Sequence, residues 1–192
     1  MRVTSTVRLI VVGSLLVAVA AVAAVASEGS RSFRIRDDCE AATFNAAVPA
    51  PPGAPPTCQP SFGGDTTFQK FIGELTEEKS VGAWRFNPDQ TGLDRGQRTM
   101  IESRGGEFHT FTRVAAFGGG IVPILNDLAG AGGTRPECGT PGALAPPSTT
   151  NNFVPSGAAF PGPTAGGADL PKGTTKWQCC IHPWMRATIT VK

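Results

Sequence analysis

The chain has 192 residues with a formal net charge of +2, 17% charged and 40% hydrophobic residues, 24 glycines, 17 prolines, 5 cysteines and 2 histidines. That is enough chain for one hydrophobic core. Two histidines exclude any multi-copper or other site built from many imidazoles, and the small basic excess gives no reason to expect nucleic acid as a partner.

Arg2 and Arg8 precede an apolar run from Leu9 to Ala26 that ends in Ala24-Val25-Ala26 before Ser27. This is the pattern of an export signal, with cleavage expected after Ala26. The signal comprises residues 1–26 and the folded domain residues 27–192. Without Arg2 and Arg8 the basic residues equal the 15 acidic ones in number. The alternative is an uncleaved anchor, since the run approaches the ~20 apolar residues that span a bilayer. Only in that case is a membrane contact expected. No cysteine ends the leader, so lipid attachment has no thiol there. The expected location is periplasmic or extracellular, and the expected state is a monomer.

Val48 to Pro60 is rich in Pro and Ala and reads as a loop. Phe68, Phe71, Ile72 and Leu75 then recur at i, i+3, i+4 and i+7 behind Asp65, Thr66 and Thr67. The spacing predicts an amphipathic helix from Thr67 to Glu78, capped by one of those three residues. Glu74, Glu77, Glu78 and Lys79 fall mostly on its solvated side. Ala83 to Phe86 reads as a strand broken by Pro88 to Gly92. Arg98 to Glu102 and Phe108 to Val114 are further strands, punctuated by Gly96 and Gly105-Gly106. Gly118-Gly119-Gly120 lacks the Gly-Lys-Ser/Thr of a phosphate loop and reads as a flexible turn. Ala129 to Gly167 reads as loop. Thr174 to Lys192 resumes strand character on both sides of His182-Pro183. Short strands between turn signals predict an all-β, two-sheet antiparallel β-sandwich with one added amphipathic helix and long Gly/Pro-rich loops.

Five cysteines in an exported chain suggest disulfides plus one thiol with another role. Cys39 and Cys58 bracket the Ala/Pro-rich stretch and could close it. Cys138, Cys179 and Cys180 remain for one further bridge and one free sulfur.

The string Trp177-Gln178-Cys179-Cys180-Ile181-His182-Pro183-Trp184-Met185-Arg186 places a thiol, an imidazole and a thioether at the spacing Cys-x-x-His-x-x-Met. Two imidazoles, one thiolate and a weak axial Met make a blue-copper site. Cys179, two residues from Trp177 on one strand face, has the gap to His182 that Cys180 lacks, which frees Cys180 to pair with Cys138. His109 is the other histidine and so the remaining imidazole. The metal ligands expected are His109, Cys179, His182 and Met185, with one mononuclear copper ion as cofactor. Neither histidine has the surroundings of a hydrolase triad. A binuclear copper site is disfavoured because its two thiols are separated by three residues.

The segment resembles the carboxy-terminal copper loop of cupredoxins, and most of all the short loop of amicyanin-type members with His-Pro-aromatic-Met-Arg. Phe86-Asn87-Pro88, Gly96, Gly105-Gly106 and His109 resemble the strand, turn and strand that bring the amino-terminal His ligand in that family. The resemblance implies a Greek-key sandwich and a one-electron carrier rather than an enzyme, with an unidentified redox partner protein. Copper delivery or storage, or a structural role, is the alternative. Three positions depart from the family pattern: Thr110 stands where Asn commonly follows the first His, Trp177 stands where Tyr is usual, and Cys180 directly follows the thiolate. The 115–168 insertion has no counterpart in small members. In the family the loop His edge is the point of electron entry. Ile181, Pro183 and Trp184 are therefore expected to form an apolar collar around a partly exposed His182, with Trp184 meeting the partner or else packing into the sandwich end.

Overall fold

The computed structural model describes residues 30–148, 150–166 and 169–192. The expected export signal lies outside these residues. Strands β1 (Ser30–Arg36), β2 (Arg85–Asn87), β3 (Gln90–Leu93), β4 (Arg98–Ser103) and β5 (His109–Val114) form the first half of the sandwich. They are followed by β6 (Gly139–Thr140), β7 (Ala143–Leu144), β8 (Asn151–Val154), β9 (Ala159–Thr164), β10 (Gly173–Gln178) and β11 (Arg186–Val191). One sheet has the order β2-β1-β4-β9, the other β3-β11-β10-β5-β8, and β6-β7 is a separate small ribbon.

The strands alternate as half-buried strands should. In β11, Ala187, Ile189 and Val191 are buried while Thr188 and Thr190 lie between them on the outer face. Phe33 and Ile35 of β1 and Ile101 of β4 meet Phe111, Trp177 and Ile189 from the opposite sheet in one core. Phe111 is its centre: its ring stacks on Trp177 at 4.7 Å and contacts Phe33 at 5.2 Å and Phe86 at 5.1 Å. Aromatic contacts of this kind add about 0.5–1.5 kcal/mol each beyond the area they bury.

The expected β-sandwich is present, although β3 runs parallel to β11 and not antiparallel to it. β3 also begins inside the Pro88 to Gly92 stretch read as a break and ends one residue beyond it. The chain resumes pairing two residues past that proline, on an edge where the missing N–H costs nothing.

Helix α2 (Phe68–Glu78) matches the predicted span. Thr67 is its cap, its hydroxyl accepting the Lys70 N–H at 3.3 Å. Two further helices were not expected. Helix α1 (Ala41–Ala47) is capped by Glu40, whose carboxylate accepts the Ala42 and Thr43 N–H groups, and α3 (Pro123–Ala129) begins on a proline and ends at left-handed Gly130. Phe44 of α1 packs on Phe68 and Phe71 of α2 and stacks on Trp84 at 5.7 Å.

The stretch from Ala129 to Gly167, expected to be loop, contains β6 to β9. In β9 the sequence Ala-Phe-Pro-Gly-Pro-Thr hides the strand, since two prolines are tolerated only where a sheet edge leaves their missing N–H groups unneeded. The Gly118-Gly119-Gly120 run is likewise not a flexible turn. All three residues are buried, Gly119 bridges Thr134, and a Cβ on Gly120 would collide with the Cys180 carbonyl.

Disulfides join Cys39 to Cys58 and Cys138 to Cys180, and Cys179 is the one free cysteine among the described residues.

Candidate metal centre

Strand β5 starts at His109 and strand β10 ends one residue before Cys179, and the two strands are neighbours. This pairing brings residues 70 positions apart to one end of the sandwich. The turn from Cys179 to Met185 is closed by its own backbone: Cys179 N–H donates to the Met185 carbonyl at 3.0 Å and Met185 N–H to the His182 carbonyl at 2.9 Å. His182 is thereby folded back over Cys179.

Nδ1 of His109 and Nδ1 of His182 each lie 3.8 Å from Cys179 Sγ. One donor atom from each of the three residues falls within 4.8 Å of the others, and all three residues are buried. Imidazole nitrogen and thiolate sulfur about 2.0–2.3 Å from a transition-metal ion, in a trigonal plane, stand roughly 3.7 Å apart. The donor set therefore fits one such ion. Met185 is buried on the same turn and lines a surface cleft with Phe86 and Trp184.

Thr110 accounts for its own departure from the family pattern. Its backbone N–H points to Cys179 Sγ at 3.4 Å, and its hydroxyl accepts the Cys180 N–H at 2.8 Å. Cys180 Sγ is committed to Cys138, so the neighbouring thiols are divided between bridge and cluster. Trp177 is fully buried in the core against Phe111, and its indole N–H donates to Thr175. It is a packing residue.

A layer of polar groups that the sequence reading did not include lies behind the imidazoles. Asp37 Oδ2 is 2.7 Å from His109 Nε2, and Glu107 Oε2 is 3.4 Å from His182 Nε2. Asp37 also accepts the N–H groups of Gly106 at 2.8 Å and Glu107 at 3.1 Å. This is why Gly105 and Gly106 are glycines. A Cβ on Gly105 would strike the Asp37 carboxylate, and one on Gly106 would stand 2.6 Å from Cys39 Sγ.

Burial opposes charge on every member of the cluster, and mutual interaction outweighs it. Burial alone would depress His109, but hydrogen bonds with Asp37 and Cys179 raise it to about 9. For His182 burial is likewise overcome, chiefly by the charge of Glu107 and the hydrogen bond with Cys179, and its pKa rises to about 10. Burial would raise the Cys179 thiol, yet hydrogen bonds from both imidazoles hold it well below its ordinary value. Asp37 stays below the usual carboxylate range despite burial, through His109 and the two backbone N–H groups.

One expectation about the site is overturned. His182 is only 2% exposed and Pro183 is buried, so there is no partly exposed imidazole inside an apolar collar. Phe71 of α2 covers the ring edge-on at 6.4 Å and Trp184 at 5.4 Å. Trp184 packs on Phe71 as well, at 5.8 Å, and is half-buried. The cause is the helix-bearing segment between β1 and β2, which lies over the loop.

No protein-family model and no curated protein matches the chain. Among solved structures it is similar to a purple cupredoxin from Nitrosopumilus maritimus, at 14% identity over 62% of this chain and 92% of that one, TM-score 0.37. It is also similar to a reduced amicyanin variant, at 17% identity over 59% and 78% of the two chains, TM-score 0.34. A fern plastocyanin variant follows, at 20% identity over 59% and 93%, TM-score 0.29. Superposition at this level is partial. The two-sheet sandwich and the His109, Cys179, His182 cluster stand on this chain's own geometry.

Proposed function

We propose that the chain is a mononuclear copper protein that carries one electron at a time between partner proteins, and is not an enzyme. The observation that carries this reading is the buried trio of His109 Nδ1, Cys179 Sγ and His182 Nδ1 on two paired strands. A soft thiolate with two imidazoles suits both oxidation states of copper. Met185 would be the weak axial ligand. Copper supplies the one-electron couple when bound. The chain holds the donors on strand ends and a hydrogen-bonded turn, which limits rearrangement when the oxidation state changes.

Burial of the trio disfavours a delivery role, in which the ion must leave readily. An exported, monomeric domain of residues 27–192 completes the reading. The test is to add Cu(II) to the purified mature protein and record visible absorption, paramagnetic resonance, and the rates of reduction and reoxidation by small one-electron reagents. An intense thiolate-to-copper band with rapid reversible cycling is expected. Copper uptake without the band, or a band without cycling, rejects the carrier reading.

A further inference from the structure

Each imidazole of the trio turns Nδ1 toward Cys179 and Nε2 toward a carboxylate. Everything within hydrogen-bonding reach of the Asp37 carboxylate is a donor: the N–H groups of Gly106, Glu107 and Cys39, and His109 Nε2. His109 must therefore present a proton on Nε2, which leaves Nδ1, facing the sulfur, as the nitrogen that offers its lone pair to a metal once a metal displaces any proton there. Glu107 Oε2 receives the indole N–H of Trp84 and faces Nε2 of His182. Among the described residues neither carboxylate is paired with a lysine or arginine, and Asp37 is 8% and Glu107 7% exposed. The two are linked, since the Glu107 N–H donates to Asp37 while the Glu107 side chain reaches His182.

We propose that Asp37 and Glu107 are a paired set of positioning residues that hold both imidazoles with Nδ1 toward the metal and place two negative charges beside it, favouring divalent over monovalent copper. This rests on the copper reading above. The attraction between a fixed carboxylate and the ion grows with the ion's charge, and the small exposure of both groups limits screening by water. The reduction potential is therefore lower than the same ligands would give behind neutral amides.

The decisive variant is Glu107→Gln, because its amide oxygen can still accept from Trp84 and His182. Asp37→Asn is the harsher second variant, since it puts an NH2 group among donors. With copper-loaded mature protein, Glu107→Gln should keep the thiolate-to-copper band while the Cu(II)/Cu(I) affinity ratio falls about tenfold, the low end for outer-layer partners of a metal-bound His. For a one-electron couple that is a rise of about 59 mV in potential. In zinc-loaded protein, nitrogen-15 NMR should show slowly exchanging Nε2 protons on both histidines, with only that of His182 altered in Glu107→Gln. An unchanged potential in both variants with the band intact overturns the charge argument, and fast-exchanging Nε2 protons in wild type overturn the positioning. A wild type without the copper band overturns the copper reading and the charge preference with it, while the zinc spectra still decide the positioning.

Discussion

Thr110 holds the backbone of Cys180 through its hydroxyl at 2.8 Å while its own N–H faces the sulfur of Cys179. One residue thus ties the strand carrying His109 to the loop carrying the thiol. Thr110→Val keeps the shape and the N–H but strands the buried Cys180 N–H, at a cost of about 1–3 kcal/mol. Thermal unfolding should fall by several degrees, with a modest shift of the copper band. An unchanged melting temperature would show that the hydroxyl carries no such role.

The two adjacent cysteines should separate cleanly. Cys179→Ser removes the soft donor and should abolish the visible band, since a hydroxyl is a poor substitute at copper. Cys180→Ser should keep the band and lose stability. Opening a cross-link between residues 42 apart costs about 4 kcal/mol by loop-closure entropy. If the two variants exchange phenotypes, the thiolate is Cys180. Denaturant midpoints beside absorption spectra decide it.

Metal uptake should release protons. The raised values of about 9 for His109 and about 10 for His182 mean that below pH 9 both metal-free imidazoles hold a second proton, while the Cys179 thiol is held well below its ordinary value by those imidazoles. A metal at both Nδ1 atoms must displace those two protons. Protons compete, so apparent affinity for copper or zinc rises with pH and levels off above about 9–10. Two protons correspond to roughly a hundredfold per pH unit near neutrality. Calorimetry in buffers of different ionisation enthalpy measures the number; a value near zero contradicts the shifts.

Trp184→Ala should disturb the copper spectrum and the stability together. Its ring rests on His182 and Phe71, so its loss opens a gap beside the imidazole. Because Trp184 is half-buried, the cost sits near the lower end for aromatic truncations, about 3 kcal/mol. A mutant with unperturbed spectrum and stability but slower exchange with a redox partner would instead make Trp184 a contact residue.

Met185→Leu conserves volume, so it should cost under about 1.5 kcal/mol. The variant should retain copper and show a higher potential, measured by redox titration of the visible band. Loss of all copper would show that Met185 is more than a weak axial ligand.

Local pattern made α2, β4, β5 and the β10–β11 hairpin legible, because each has hydrophobic periodicity and turn residues at its ends. The stretch that Cys39 and Cys58 bracket suggests their bridge, and the Cys-x-x-His spacing, by singling out Cys179, leaves Cys180 for Cys138; both bridges are present. Helix α1 was hidden because its seven residues bury only Phe44, and β9 because prolines mask it. Asp37 was out of reach for a different reason. It lies 72 positions from His109, and an isolated carboxylate has no spacing to read. The burial of His182 depends on Phe71, more than a hundred positions away, so residues flanking the histidine gave the wrong exposure.

The division of labour between Cys179 and Cys180 bears on how the protein matures. In an unfolded chain the two thiols are chemically equivalent competitors for Cys138, one residue apart, and oxidation by itself has little basis for choosing. The native backbone makes the choice: Thr110 anchors the Cys180 amide, Gly120 lets the chain pass against its carbonyl, and both imidazoles claim the Cys179 sulfur. A bridge formed before that end of the sandwich assembles can join Cys138 to Cys179, a product whose one free thiol, Cys180, stands a residue away from the position both imidazoles face. Correct oxidation is thus a consequence of folding here, and a chain that encounters oxidant too early must reshuffle its bridge by attack of the Cys180 thiolate before the Cys179 sulfur is released to the imidazoles.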